Sequence, residues 1–151
     1  MVEMSESAGA RVLSGADLRL WLERLLRGEA TPAPCNVLLG FRFRGMEEGA
    51  TYWEWSMQDR FMNGLGVVQG GLLASFADTC MACAAITVLP ADDSIAAAEM
   101  KINFLKSAQS GTLHGEGRVV RRGKRTIYTE GTITDDLGDI VTRASATFVV
   151  L

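Results

Sequence analysis

Residues 67–89 read Val67-Val68-Gln69-Gly70-Gly71-Leu72-Leu73-Ala74-Ser75-Phe76-Ala77-Asp78-Thr79-Cys80-Met81-Ala82-Cys83-Ala84-Ala85-Ile86-Thr87-Val88-Leu89. The run is apolar apart from Gln69, Asp78 and a few small hydroxyl and thiol side chains, so it predicts a helix over about 69–88. Its length invites a membrane reading. An acid near the centre of a spanning helix costs about 2.5–3.5 kcal/mol on insertion scales, and Gly70-Gly71 weakens the helix start, so a membrane is not the expected partner. A helix apolar on nearly all sides is instead buried by protein. Such a helix needs something to wrap it.

The rest of the chain supplies the wrapper. Met100, Ile102 and Phe104 alternate with Glu99, Lys101 and Asn103, the period of a half-buried strand. Thr112 to Arg121, Arg125 to Thr134 and Ile140 to Val150 follow as further strands, joined by Arg122-Gly123-Lys124 and by Asp135-Asp136-Leu137-Gly138-Asp139. Connections that short require antiparallel neighbours. Upstream, Phe41, Phe43, Tyr52, Trp53 and Trp55 flank Glu47-Glu48-Gly49, which predicts a hairpin within Val37 to Gln58. Leu18, Trp21, Leu22, Leu25 and Leu26 predict an amphipathic surface helix over about 15–29, stopped by Thr31-Pro32-Ala33-Pro34. Residues 1–14 are expected to be a disordered N-terminus and 15–151 a single α+β domain, an antiparallel sheet wrapped around the long central helix.

Composition narrows the function. The chain has 151 residues, room for about one domain, and a net charge of −3, which leaves no basic excess to neutralise a phosphate backbone. Nucleic acid is therefore not an expected partner. Three cysteines, Cys35, Cys80 and Cys83, are an odd count in a chain large enough to fold without disulfides. With no apolar leader in residues 1–14, reduced thiols suggest a cytoplasmic protein.

The chemistry gathers where the long helix begins. In Asn63-Gly64-Leu65-Gly66-Val67-Val68-Gln69-Gly70-Gly71, glycines precede a helix, so free backbone N–H groups meet the positive end of the helix dipole. That combination suits a developing oxyanion. Asp78 falls eight residues after Gly70, inside the apolar helix, where a lone carboxylate is expensive unless it is paired or working. Each feature has a plainer explanation: glycines also make tight turns, and a buried Asp also serves as a structural acceptor. Their combination points to a site.

Gln69-Gly70-Gly71 followed by Asp78, with Asn63 six residues before Gln69, resembles the hotdog-fold acyl-CoA thioesterases of the PaaI-like and 4-hydroxybenzoyl-CoA type. The resemblance extends over roughly Phe41 to Leu151, and the architecture read above is the hotdog arrangement. It implies hydrolysis of an acyl-CoA to free acid and CoA, with the Gly70 N–H polarising the thioester carbonyl. Asp78 is then the general base or nucleophile, and Asn63 helps place the water or the thioester, with Gln69 and Gly71 beside the substrate. No cofactor or metal is implied, CoA being part of the substrate. The resemblance further implies a homodimer or homotetramer whose site straddles two subunits, Gly70 and Asp78 coming from opposite chains. Gln69 stands where many members have His, and Ala96-Ala97-Ala98 stands where some supply a Ser or Thr.

Other motifs fall away. His114, the only histidine, sits in an expected strand far from any recognised nucleophile motif, and Cys80-Met81-Ala82-Cys83 lies in mid-helix without a second ligand pair. Gly64-Leu65-Gly66 with Gly70 misses the dinucleotide-binding spacing by one residue. Arg121, Arg122, Lys124 and Arg125 around Gly123 form a basic turn, either simply solvated or a landing site for CoA phosphates. Two rival functions stay open. One is a non-catalytic acyl-CoA or lipid-binding module in which Asp78 is structural. The other is a dehydratase of the same fold, against which the lack of a His near the glycines counts.

Overall fold

The structure, a computed structural model, describes residues 12–151; residues 1–11, most of the expected disordered segment, lie outside it. Helix α1 spans Gly15–Leu26 and α2 Pro34–Leu39. Strands β1 (Phe41–Glu47) and β2 (Ala50–Ser56) follow, then a 3-10 turn at Asp59–Phe61 and α3 (Gly70–Thr87). Strands β3 (Ile95–Phe104), β4 (Thr112–Arg122), β5 (Thr126–Thr134) and β6 (Ile140–Val150) complete the fold. The six strands form one antiparallel sheet in the order β1-β2-β4-β5-β6-β3.

Local chemistry sets the helix ends. Ser14 and Asp17 form a reciprocal capping box at the start of α1. The helix stops at Leu26, short of the expected Glu29, because Gly28 takes a left-handed φ of 71° and its N–H closes on Leu25. The prolines expected to stop it do other work: Pro34 is the first residue of α2, where its fixed φ fits a helix and its missing N–H costs nothing. That short helix is absent from the sequence reading. α1 seals the far end of α3. The Gly15 N–H donates to the Asp93 carbonyl at 2.6 Å, and the Arg19 guanidinium reaches the Leu89 carbonyl, a cation where a helix end is negative.

α3 lies across one face of the sheet at very close range. On β4 the helix-facing positions are Leu113, Gly115 and Gly117, and a Cβ on Gly117 would stand 2.0 Å from the Cys80 carbonyl oxygen. Only glycine admits helix backbone that near a strand. Thr51 on β2 donates to the same carbonyl at 2.8 Å. Beneath the first half of α3, Phe41, Trp55, Phe61 and Phe76 form an aromatic cluster with centroids 4.8–5.5 Å apart.

Burial on nearly all sides holds for half of α3. Phe76, Ala77, Cys80, Met81, Ala84 and Ala85 are buried, whereas Ala74, Ser75, Asp78, Thr79 and Ala82 are only partly covered. The helix is long and apolar enough to span a membrane, yet its buried side is the protein core. β3 begins at Ile95, four residues before the expected alternation; a bulge between Ala97 and Glu99 shifts its register on β6 and breaks the period of two there. It is the edge strand on that side of the sheet.

Candidate active site

A small loop builds the entry to α3. Met62 and Val68 bridge across it, Asn63 N–H donates to the Val67 carbonyl at 2.8 Å, and Asn63 Oδ1 accepts from Leu65 N–H at 2.8 Å and from Val67 N–H at 3.4 Å. The Asn63 side-chain oxygen is thus spent on the loop, leaving its amide hydrogens uncommitted among the described residues. Gln69 is the N-cap: Oε1 accepts from Leu72 N–H at 3.1 Å, so this side chain also serves the helix. The Gly70 and Gly71 N–H groups, among the first of α3, have no acceptor among the described residues. Two donors therefore stand free at the positive end of an 18-residue helix.

Asp78 occupies the open side of α3. Its carboxylate makes no hydrogen bond or ion pair among the described residues, and burial alone holds its carboxyl above the ordinary aspartate value. The helix carries Asp78 about 12 Å along its axis from Gly70, eight residues at 1.5 Å each. One chain cannot bring both groups to one carbonyl.

The basic turn is also remote. Gly115 faces Phe76, Gly117 faces Cys80, and Thr87 Oγ1 accepts from Gly49 N–H beside Val119, so β4 runs alongside α3 toward the helix's C-terminal end. Arg121, Arg122, Lys124 and Arg125 lie beyond that end, exposed and without an acidic partner among the described residues. Gly123 N–H closes the turn on the Thr126 carbonyl at 2.8 Å.

The remaining reactive side chains are elsewhere. His114 points away from α3 on the outer face of the sheet, its Nε2 3.2 Å from Asp136 Oδ1 and its Nδ1 3.9 Å from Glu54 Oε1. Cys80 and Cys83 are buried, which pushes the Cys83 thiol up to about 12 and Cys80 well above its ordinary value. Un-ionised thiols pack as apolar groups. No group of three or more His, Cys, Asp or Glu able to hold a metal occurs among the described residues.

One residue at the helix start escaped the sequence reading. Phe104, taken there only as an alternating strand residue, brings its ring to within 3.2 Å of the place where a Gly70 Cβ would stand. An aromatic at the end of an alternating strand, next to Leu105, was the available signal.

Comparison with known proteins identifies the family and the fold. A model of the thioesterase superfamily matches residues 65–142, the stretch from the helix entry to β6. The chain is 32% identical over 106 residues to a Saccharolobus solfataricus protein that carries an esterase name, spanning 70% of this chain and 75% of that one. It is 31% identical to the phenylacetic acid degradation-related protein of Ralstonia eutropha JMP134, whose structure matches with a TM-score of 0.78 over 85% of this chain and 98% of that chain. The PaaI protein of the E. coli phenylacetic acid degradation operon shares the fold, at 23% identity and a TM-score of 0.78, over 89% of this chain and 96% of that chain. The chain belongs to the thioesterase superfamily, with the hotdog fold of its PaaI-like members.

Proposed function

We propose that this protein hydrolyses acyl-CoA thioesters to the free acid and CoA. The observation that carries the reading is Asp78, a half-buried carboxylate with no partner, on a helix that opens with two free N–H groups. Thioester hydrolysis asks for an anion to be stabilised and a nucleophile to be supplied. The Gly70 N–H polarises the carbonyl, worth about 2.7–4 kcal/mol for one preorganised donor. Asp78 takes the proton of the attacking water, or attacks directly to form an acyl-aspartyl anhydride that water then cleaves to the acid and free Asp78; in either route the C–S bond breaks to release CoA thiolate, which takes up a proton. Gly71 offers a second N–H, while the Asn63 and Gln69 amide hydrogens are placed to orient water or thioester. The reaction calls for no cofactor.

The separation of Gly70 from Asp78 makes the oligomer part of the mechanism. A second copy packed antiparallel on the β3 edge, where Ala96, Ala97 and Ala98 are exposed, sets the start of one α3 beside the middle of the other. The same packing brings the partner's basic turn toward the first chain's helix start. Arg122, Lys124 and Arg125, shaped by Gly123, then hold the CoA phosphates. The assembly is a homodimer or a homotetramer acting on a cytoplasmic acyl-CoA pool.

Free-thiol release from aromatic and aliphatic acyl-CoA esters, measured for the parent and Asp78→Asn, tests the reading. Turnover on some ester, falling at least about 100-fold in the variant, is expected for loss of the base. Saturable binding of CoA esters without release from any of them makes the protein a binding module and Asp78 a structural acid.

A further inference from the structure

Phe104 is the last residue of β3, opposite Thr142 of β6, and its side chain is on the α3 face of the sheet. Its ring meets Gly70 end-on: the ζ carbon lies 3.2 Å from the Gly70 Cβ position, and the two ε carbons follow at 3.5 and 3.6 Å. The ring is nevertheless 54% exposed, and Leu105 and Leu65 beside the helix entry are 59% and 86% exposed. A large aromatic touching the first residue of the core helix is thus not covered by its own chain.

Its position is fixed by the backbone around it. Leu105 N–H and Lys106 N–H both donate to the Val141 carbonyl, at 2.9 and 3.2 Å. Lys106 Nζ is held by Asp135 Oδ2 at 2.6 Å and Asp139 Oδ2 at 2.7 Å. Further along this loop, the Ala108 carbonyl accepts the Val68 N–H at 2.8 Å, one residue before the Gln69 cap. Ring and helix start are therefore parts of one hydrogen-bonded unit.

We infer that Phe104 is a substrate-contacting residue that sets which acyl groups reach the Gly70 N–H. The inference rests on the thioesterase reading above. An oxygen bound to that N–H stands about 2.9 Å from the nitrogen, and the nitrogen and the Cβ position share one Cα, so the carbonyl's neighbouring carbons fall within van der Waals reach of the ring. A planar aryl group or a plain methylene slides along the ring face. A carbon branched next to the carbonyl collides with the ring tip. The substrate class assigned is acyl thioesters that are planar or unbranched at that carbon.

The test compares the parent, Phe104→Ala and Phe104→Leu on benzoyl-CoA, hexanoyl-CoA and 2-methylpropanoyl-CoA, with gel filtration of each. The parent is expected to favour the first two over the branched ester by at least about tenfold in kcat/KM. Phe104→Ala is expected to raise KM for benzoyl-CoA roughly three- to tenfold, the worth of one ring contact, and to narrow the preference against the branched ester. Phe104→Leu falls between them. A parent-like selectivity in Phe104→Ala overturns the inference while leaving the thioesterase reading intact, and so does a uniform loss of activity accompanied by dissociation of the oligomer. A parent inactive on every ester overturns the enzyme reading itself. Binding of 2-oxo-2-phenylethyl-CoA, a non-hydrolysable ketone, then decides the contact alone: it weakens roughly three- to tenfold in Phe104→Ala, or the inference fails.

Discussion

The two sides of α3 follow opposite rules. Toward the sheet the helix is fitted so closely that the Cys80 carbonyl sits where Gly117 could not carry a methyl group, and the Thr51 hydroxyl adds a bond to the same oxygen. Toward the open side it shows small residues and one unpartnered acid, Asp78, raised in pKa by burial. The first side is built for packing density, where every atom has a neighbour. The second leaves that acid without a partner among the described residues. On the proposed mechanism, stability and chemistry belong to different faces of one helix, and disturbing each face should have a different signature.

The largest effect belongs to the packed side. Gly117→Ala forces a methyl group into helix backbone, and we expect a loss above about 4 kcal/mol, in the range reserved for severe core damage. A variant whose circular-dichroism melt stays within about 5 °C of the parent would show that the helix can lift off the sheet cheaply.

At the helix start, Gly70→Pro deletes one N–H and keeps the helix, and Gly70→Ala, which puts the same Cβ 3.2 Å from the Phe104 ring but retains the N–H, is the control for that contact. Gln69 has φ −64° and ψ 128°, an extended conformation that tolerates a following proline, and proline is favoured at a first helical position. We expect kcat to fall about 10²–10³-fold with the far-ultraviolet spectrum unchanged. Full kcat would move the oxyanion role to another donor.

Asp78→Asn sharpens the contrast, because activity and stability should move in opposite directions. Burial raises the folded-state pKa of Asp78, so ionisation weakens the fold: stability is fullest below the ordinary aspartate value and declines as pH rises through the folded value. Asn removes that loss, and the thermal midpoint at neutral pH should rise. On the proposed mechanism the working form is the carboxylate, so the acid limb of the parent's kcat profile should lie above the ordinary aspartate range. A profile flat down to that range would remove Asp78 from the chemistry.

The smallest effect is expected from Thr51→Val. It removes the bond to the Cys80 carbonyl and leaves the Trp53 indole N–H, 3.2 Å from Thr51 Oγ1, without its acceptor. The cost should be about 1–3 kcal/mol, read from urea unfolding, with kcat unchanged.

This division was only partly legible in the sequence. The strands β4, β5 and β6 could be read almost to the residue, because short turns separate them and a period of two runs along each. The start of α3 was readable for the same kind of reason, since Gln69 caps it. α2 was missed because a proline reads equally well as the end of one helix and the beginning of the next. Gly115 and Gly117 carried the signal for close helix contact, but a strand glycine says only that something comes near, not what. Asp78 stood out on chemical grounds alone, as a charge in an apolar run. Asn63 and Gln69 did not separate into structural and functional parts, since an amide that closes a loop or caps a helix is spelled the same way as one that binds a ligand.

The strand order also shapes the birth of the protein on the ribosome. Among the described residues β3 pairs only with β6, the last strand described, and from Phe104 to Ile140 there are 36 further residues to be made. At about 5–20 residues per second, β3 waits roughly two to seven seconds for its partner. A strand kept waiting is a template for the wrong chain. The charges of Glu99 and Lys101 blunt such pairing along β3 during the wait and leave the strand able to pair with β6 once it arrives.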